Sequence, residues 1–539
     1  MTGIVPALSE GTSAVSSQTK TSGDAGLTPP AAFGAGLLNR EPTGWHAAVR
    51  PDRTACIALA TGERVTYRAL EGRISACAGN LCALLGPLIG ERIAFLGRNS
   101  IDLVVLALAC QRAGAIFVPL NWRLTGAELA GLLADCTPRL LVHDAEFADG
   151  AGIAAAGLPA LVVRGDAGGE LFAARGLPAP AEVPSDAAAP CTLLYTSGTT
   201  GRPKGAIVTR AGAFCNSVNF AFVGELGPDC TILSDAPMFH TVGLFATVRS
   251  ALTLGTTLVI SDRFLPEQTL RAFSDPALGI THYFGVPQIA LALRAHPFFP
   301  SADLSRLRAI FVGGAPVSRA LIEDFLAQGV KVVNGYGSSE AGTVIHMPID
   351  AAALAARPGA IGLPVPLLDT RIVRADGSEA EAGDVGELWL RGPAVTPGYW
   401  NNPSATAAAL QDGWFRTGDA VRRDADGFFW LVDRIKDMYI SGGENVYPAE
   451  VENVLWELPN IADVAVIGVA HPVWGETGEA FVVVREDAVL TKDDVRRFCD
   501  GRLARYKHPT TIRFVEAIPR TASGKIQKHR LRNLHTADP

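Results

Sequence analysis

A strand–helix–strand pattern beginning near residue 92 sets the fold class of this chain. The apolar run Arg92–Leu96 is followed by Asn99-Ser100, a pair suited to capping a helix, then by the segment Ile101–Ala113 with Gly114 behind it. A second apolar run, 115–120, comes next. Strand, helix and strand at this spacing predict a parallel α/β architecture. Similar runs recur at 139–143, 256–260, Ala309–Val312 and 331–333, with helical segments between several of them. No repeat of fixed period stands out, which argues against a solenoid or a propeller.

The chain has 539 residues, enough for two to four structural units at roughly 150 residues each. Hydrophobic residues make up 48% and charged residues 19%, a balance that excludes a fully disordered chain. The net charge of −7 argues against a general binder of nucleic acid or anionic membrane. The most apolar stretch, 101–110, contains Asp102 and is followed at once by Gln111 and Arg112. It falls short of the ~20 apolar residues a spanning helix needs. Residues 1–20 show no basic start followed by an apolar block, hence no secretory signal. The 9 cysteines include no Cys-x-x-Cys pair, which speaks against a disulfide framework or structural zinc and for a reducing cytoplasm.

Residues 1–40 are rich in Ser, Thr, Gly, Ala and Pro and read as a flexible tail. After Gly359 the texture changes to short strand-like pieces such as 370–373 and 386–390, as in a β-rich subdomain. A charged turn, Asp433-Arg434-Ile435-Lys436-Asp437, marks a domain boundary. Beyond it, Pro448 opens a helix with Val451, Val454 and Leu455 on one face, strands are expected at 464–469 and 480–484, and Thr491 with Asp494 resembles a capping box. The units are therefore a tail (1–40), a large domain (41–433), a hinge (434–436), a small C-terminal domain (437–533) and a last tail (534–539).

Four segments carry chemistry. In Leu193-Leu194-Tyr195-Thr196-Ser197-Gly198-Thr199-Thr200-Gly201-Arg202-Pro203-Lys204-Gly205, an apolar strand feeds a loop of Gly, Ser and Thr ending in lysine. Glycines let backbone approach a polyphosphate, while amides, hydroxyls and an ammonium donate to its oxygens. It is no Walker A loop, since Arg202 and Pro203 separate Gly201 from Lys204. The second segment, Asn334-Gly335-Tyr336-Gly337-Ser338-Ser339-Glu340, follows the run 331–333; Glu340 and Ala341 stand where a dinucleotide fingerprint and a nucleophile elbow would need glycine. By itself it reads as a structural turn. Third, Asp412-Gly413-Trp414-Phe415-Arg416-Thr417-Gly418-Asp419 combines a tight turn with a carboxylate able to accept ribose hydroxyls, or is an ordinary hairpin. Fourth, Pro519-Arg520-Thr521-Ala522-Ser523-Gly524-Lys525 places a lysine on a Ser-Gly turn within a basic stretch.

In this order, and together with 433–436 and 441–448, these segments resemble the adenylate-forming superfamily of acyl-CoA synthetases, peptide-synthetase adenylation domains and luciferases, over about residues 45–533. The resemblance implies an α/β fold with a large N-terminal domain of α/β layers plus a β-rich subdomain, and a small mobile α+β C-terminal domain. It implies formation of an acyl-adenylate from a carboxylic acid and Mg-ATP, then transfer to coenzyme A. By the same resemblance, Thr196, Ser197, Gly198, Thr199, Thr200, Gly201 and Lys204 would hold the β- and γ-phosphates. Gly314, Ala315 and Pro316 with Tyr336 would sandwich adenine, and Asp419 and Arg434 would bind ribose. Ser339 would contact the α-phosphate, Glu340 with Thr199 would hold Mg²⁺, and Lys525 would bridge the carboxylate and the α-phosphate. Lys436 matches the hinge, and Ser441, Gly442 and Gly443 would line the pantetheine channel.

The resemblance further implies an acid pocket at Met238, Phe239, His240, Leu244, Phe245, Val312, Gly313, Gly314, Gly337 and Val344, whose apolar and small side chains favour a hydrophobic acid. His240 would gate the pocket or contact the carboxylate, or is a packed structural residue. The segment 437–448 looks most like fatty-acyl and hydroxycinnamoyl-CoA ligases. Ser339 stands where the family pattern carries threonine, which keeps the hydroxyl. Activation of another oxyacid such as nitrite, or transfer to a non-CoA acceptor such as an amine, stays open as an alternative, as does a homodimer.

Overall fold

The computed structural model describes residues 42–157, 161–164, 171–173, 186–196, 203–314, 319–520 and 525–537. The expected N-terminal tail, the phosphate-loop residues 197–202, Ala315 and Pro316, and the turn 521–524 lie outside the described residues.

Two largely parallel sheets form the N-terminal architecture. One has six strands in the spatial order Leu161–Arg164, Leu140–His143, Arg92–Leu96, Ile116–Pro119, Pro190–Thr196, Lys204–Thr209; only the last runs antiparallel to its neighbour. The other has nine strands, with Val332–Ser338, Ala309–Val312, His282–Gly285, Thr231–Ser234, Thr257–Ile260 and Thr54–Ala58 parallel and a hairpin at each end. The expected strand–helix–strand unit is present. Ser100 caps the helix Ile101–Ala113 by accepting from the Leu103 amide, and Gly114 ends it at φ 79°, a left-handed conformation that glycine adopts without strain. This helix is buried on nearly all sides. Its core includes the helices Tyr67–Leu85 and Arg210–Val223, which pack into the same apolar cluster.

The β-rich stretch forms a five-stranded antiparallel sheet from Asp369–Val373, Val385–Arg391, Leu410–Gln411, Trp414–Arg423 and Phe429–Arg434. The last sheet pairs the long strands Ile461–His471 and Gly475–Val484, flanked by Tyr439–Ser441, Glu444–Val446 and Thr511–Phe514. Pro448–Trp456 is a helix, and Thr491 and Asp494 form a reciprocal capping box at Lys492–Cys499. Two expectations change. The strand expected at 331–333 continues through Ser338, because Gly335 and Tyr336 pair antiparallel with His346 and Ile345; the second motif is therefore strand up to Ser338, with Ser339 and Glu340 in the turn that follows. The tail expected from residue 534 is helical to 537, as the last helix, Lys528–Ala537, carries Leu531 into an apolar cluster with Ile467 and Phe481. Among the described residues no helix is long and apolar enough to cross a membrane.

Candidate active site

Strand ends from the nine-stranded sheet, the phosphate-loop hairpin, the β-rich sheet and the C-terminal segment open onto one cleft of about 1910 Å³. Thr196 and Lys204 face each other in antiparallel register, so the pairing brings the two ends of the phosphate loop together. Lys204 Nζ lies 5.3 Å from the centre of the Tyr399 ring, and the Tyr399 hydroxyl donates to Glu340 Oε1 at 2.9 Å. The Thr396 amide donates to the Glu340 carbonyl at 2.6 Å, while the Trp400 amide donates to the Gly205 carbonyl at 2.8 Å. The stretch 396–400 thus clamps the motif carboxylate against the phosphate-loop hairpin. Burial is the main cause that raises the Tyr399 pKa, with the Glu340 charge next, so the phenol stays a donor.

A second array lines the same cleft. Asp412 and Gly413, at φ 51° and 78°, make the tight turn that starts the strand Trp414–Arg423, and this strand carries Asp419 into the cleft. Tyr336 Oη donates to Asp419 Oδ2 at 2.5 Å, and Arg434 Nε lies 2.6 Å from Asp419 Oδ1. Asp419 is paired with Arg434 across neighbouring strands. Burial raises the Asp419 pKa, with Arg434 and the Tyr336 hydroxyl opposing it. Burial likewise works against the Arg434 charge, but Asp419, Tyr336 and Glu340 outweigh it and raise its pKa.

Lys525 also lines the cleft, near Asp419, Glu340, Arg434 and Lys436. The surrounding protein, then Arg434, lowers its pKa, while Asp419 and Glu340 pull it back up. His240 is close enough to feel Lys525 and Arg123; burial first, and those two cations next, depress it to about 4. The imidazole is neutral at neutral pH, and its buried Nε2 has no hydrogen-bond partner among the described residues.

The hinge expected at 434–436 is anchored from below. Asp433 accepts from the Arg434 amide at 2.7 Å and from the Ala449 amide at 2.6 Å, in the first turn of the helix Pro448–Trp456. Arg532 bonds Asp437 at 3.0 Å, and Lys528 pairs with buried Glu452 at 2.9 Å. Lys436, exposed beside this anchor, has its pKa lowered mainly by the protein around it.

Of the expected site residues, Thr196, Lys204, His240, Gly313, Gly314, Tyr336, Gly337, Ser339, Glu340, Asp419, Arg434, Lys436 and Lys525 line this cleft. Six of the expected acid-pocket residues are not among those lining the cleft. Met238, Leu244 and Phe245 belong to the core beneath the cleft, Val312 and Val344 to two further apolar clusters, and Phe239 is 5% exposed. The lining residues there include Ala246, Phe284 and Val242 instead. Ser441, Gly442 and Gly443, expected to reach the pantetheine channel only on domain rotation, stand away from the cleft wall in this arrangement; Gly442, at φ 62°, donates its amide to the Trp474 carbonyl and packs against that indole. Tyr399 and Thr396 escaped the sequence reading, and Asp433 enters it only as part of the charged turn. Their only signals were an aromatic pair after Pro397-Gly398 and an acidic residue directly before the hinge.

The comparisons with known proteins agree with this geometry. Residues 44–400 match the family model of the AMP-binding enzyme, and residues 450–525 match that of the AMP-binding enzyme C-terminal domain. A feruloyl-CoA synthase of Amycolatopsis sp. is 41% identical over 471 residues, covering 87% of this chain and 94% of that protein. An indoleacetate–CoA ligase of Aromatoleum aromaticum is 38% identical over 503 residues, covering 91% and 96%. Among solved structures, ATP-bound MatB from Rhodopseudomonas palustris superposes with a TM-score of 0.84 at 31% identity, covering 92% of this chain and 99% of that one. The fold is that of an adenylate-forming enzyme. The chain belongs to the AMP-binding enzyme family, as an AMP-forming acyl-CoA synthetase.

Proposed function

We propose that the protein activates a hydrophobic aromatic acid in two half-reactions and that the residues named above divide the work. In the first, a substrate carboxylate oxygen attacks the α-phosphorus of ATP, the bond to the β-phosphate oxygen breaks, and pyrophosphate leaves. In the second, the sulfur of coenzyme A attacks the acyl carbonyl, its proton is lost, and AMP leaves with the former carboxylate oxygen.

Negative charge grows on the phosphoryl oxygens and the departing pyrophosphate during the first step. Fixed donors already in place lower that barrier, because they need no reorganisation as the charge appears. Lys525 supplies a cation between carboxylate and α-phosphate, Ser339 a hydroxyl, and Lys204 a cation at the phosphate-loop hairpin. Asp419 accepts from ribose hydroxyls, held by Tyr336 and Arg434. Glu340 fits a magnesium ion: Tyr399 engages one carboxylate oxygen, leaving the other for the metal, and Mg²⁺ needs only one or two carboxylates alongside nucleotide phosphates and water. Bound there, the ion would neutralise polyphosphate charge. His240, neutral at neutral pH, presents a lone-pair or N–H edge to the acyl group without adding charge.

Thiolation needs a path to the acyl carbonyl where Lys525 stands. Rotation of the C-terminal domain about Lys436 would remove the lysine and bring Gly442 and Gly443 toward the cleft. The observation that supports the whole reading most is the joint placement of Lys525, Glu340 and the Tyr336–Asp419–Arg434 array around one cleft. Aromatic acids are favoured by the Phe284 wall and by the relatives acting on feruloyl and indoleacetate groups. The test is a mass-resolved product assay with Mg-ATP and a panel of aromatic and fatty acids, with and without coenzyme A. Acyl-CoA with AMP is the expected product. AMP without thioester would move the acceptor elsewhere, and ADP would overturn the reading.

A further inference from the structure

A buried group of charges spans the boundary between the large and the C-terminal domain. Asp433 is the penultimate residue of the strand Phe429–Arg434, pairs with Ala420 in the β-rich sheet, and closes the large domain just before the hinge. Its Oδ2 reaches across that boundary and accepts from the Ala449 amide at 2.6 Å, at the second residue of the helix Pro448–Trp456. Amides in a first helical turn have no partner within the helix, and the positive end of the helix dipole lies there too. The carboxylate is therefore held by charge as well as by a hydrogen bond. Glu452 and Lys528, buried like Asp433, form their 2.9 Å pair alongside. Burial works against the Lys528 charge, yet Glu452 and then Asp433 outweigh it and raise its pKa. One ammonium thus answers a carboxylate from each side of the boundary.

On the C-terminal side these residues belong to one body. Val451 and Leu455 pack with Val464 and Val466, and Glu452 Oε1 accepts from the Val466 amide at 2.8 Å. The helix that Lys528 opens carries Leu531 against Ile467 and Phe481. Lys525 stands three residues before Lys528, and on its other flank Arg520 pairs with Asp463 at 2.7 Å. Both ion pairs lie inside the C-terminal domain, so they fix Lys525 relative to the strand Ile461–His471 and travel with it. Asp433 differs, because its partners across the boundary are lost if that domain turns. It also shares a sheet with Asp419 and Arg434, so its bond to Ala449 sets the body that carries Lys525 against the ribose array.

Resting on the ligase reading and the domain rotation above, we propose that Asp433 is a positioning residue: it holds the C-terminal domain in the orientation that delivers Lys525 to the adenylation cleft, and it gives up the Ala449 amide and the Lys528 charge before the thiol step. An interaction made in only one of two orientations raises the population competent for the first half-reaction and lowers the population competent for the second. A residue that merely supported the fold would move both half-reactions in the same direction.

The experiment measures the two half-reactions separately in the native full chain, D433A and D433N. Acid-dependent pyrophosphate exchange into ATP reads the first, and thioester formation from a preformed acyl-adenylate with coenzyme A reads the second. The probes are cinnamate, benzoate, hexanoate and dodecanoate with their adenylates, and the variants are compared on the acid that the native chain turns over fastest. D433A should lose about tenfold or more in kcat for exchange, while the KM for ATP stays within about threefold. Thioester formation from the supplied adenylate should run at the native rate or faster, which also shows that the variant is folded. D433N keeps an acceptor for the Ala449 amide but not the charge, and should fall between the two. Exchange at the native rate in D433A overturns the inference. So does a parallel loss of both half-reactions in D433A and D433N. Neither AMP nor thioester from the native chain with any of the four acids overturns the ligase reading itself, and the inference with it.

Discussion

Tyr336 and Asp419, 83 residues apart in sequence, are joined by a 2.5 Å hydrogen bond that ties the strand Val332–Ser338 to the β-rich sheet. The bond couples the proposed adenine wall to the proposed ribose acceptor. Hydrogen bonds to charged groups contribute about 1.5–3 kcal/mol, so Tyr336→Phe should raise the KM for ATP at least tenfold with a smaller change in kcat. Pyrophosphate exchange measures this directly. An unchanged KM would mean that Arg434 alone orients the carboxylate.

Lys525→Ala should reduce acyl-adenylate formation on the order of 10²–10³-fold. Thioester synthesis from a supplied acyl-adenylate should persist. Equal loss in both half-reactions would refute a role confined to the first.

Tyr399→Phe removes the donor to Glu340 Oε1 while keeping the ring beside Lys204. Glu340 would then hold magnesium with less defined geometry. The expected result is about a tenfold loss of activity at low magnesium, largely recovered at high magnesium, since orienting partners of a metal ligand matter on that scale. A loss insensitive to magnesium concentration would separate Tyr399 from the metal.

Lys436→Pro stiffens the backbone next to the Asp433 anchor. Adenylation should survive and thiolation should fall. Thiolation at the normal rate would count against rotation about this residue.

Asp235 offers a pH test of stability. Its carboxyl is 1% exposed, and burial raises it to about 7 even though the hydroxyls of Thr269 and Tyr283 donate to it at 2.9 Å. The folded pKa lies above the unfolded value, so the neutral acid's contribution is full below about pH 4 and is lost as pH rises through about 7. Thermal melts from about pH 4.5 to about 7.5 should therefore fall more steeply with pH for the native chain than for Asp235→Asn. Parallel slopes would show that the carboxyl does not titrate there.

The fold was legible wherever local chemistry and burial agreed. The helix Ile101–Ala113 shows its Ser100 cap and Gly114 stop in the sequence, and Thr491 with Asp494 announces its capping box. The motif order likewise pointed to Lys525, Glu340, Asp419 and Tyr336 before any coordinates. The acid pocket was less legible. Met238, Phe245 and Val344 are apolar and close in sequence to the site, yet apolarity does not distinguish a core side chain from one facing a cleft. Tyr399 was invisible for another reason: its importance comes from what stands opposite it, Glu340.

Sequence by itself determined the parallel α/β class, the caps, and the donors and charges carried by the phosphate-loop, ribose and lysine segments, because these depend on neighbours a few residues away. Tertiary structure alone decided which of those groups share a cleft and which apolar residues sink into the core. Those outcomes depend on contacts between strands distant along the chain, where one absent Cβ or one paired carboxylate changes what a side chain meets.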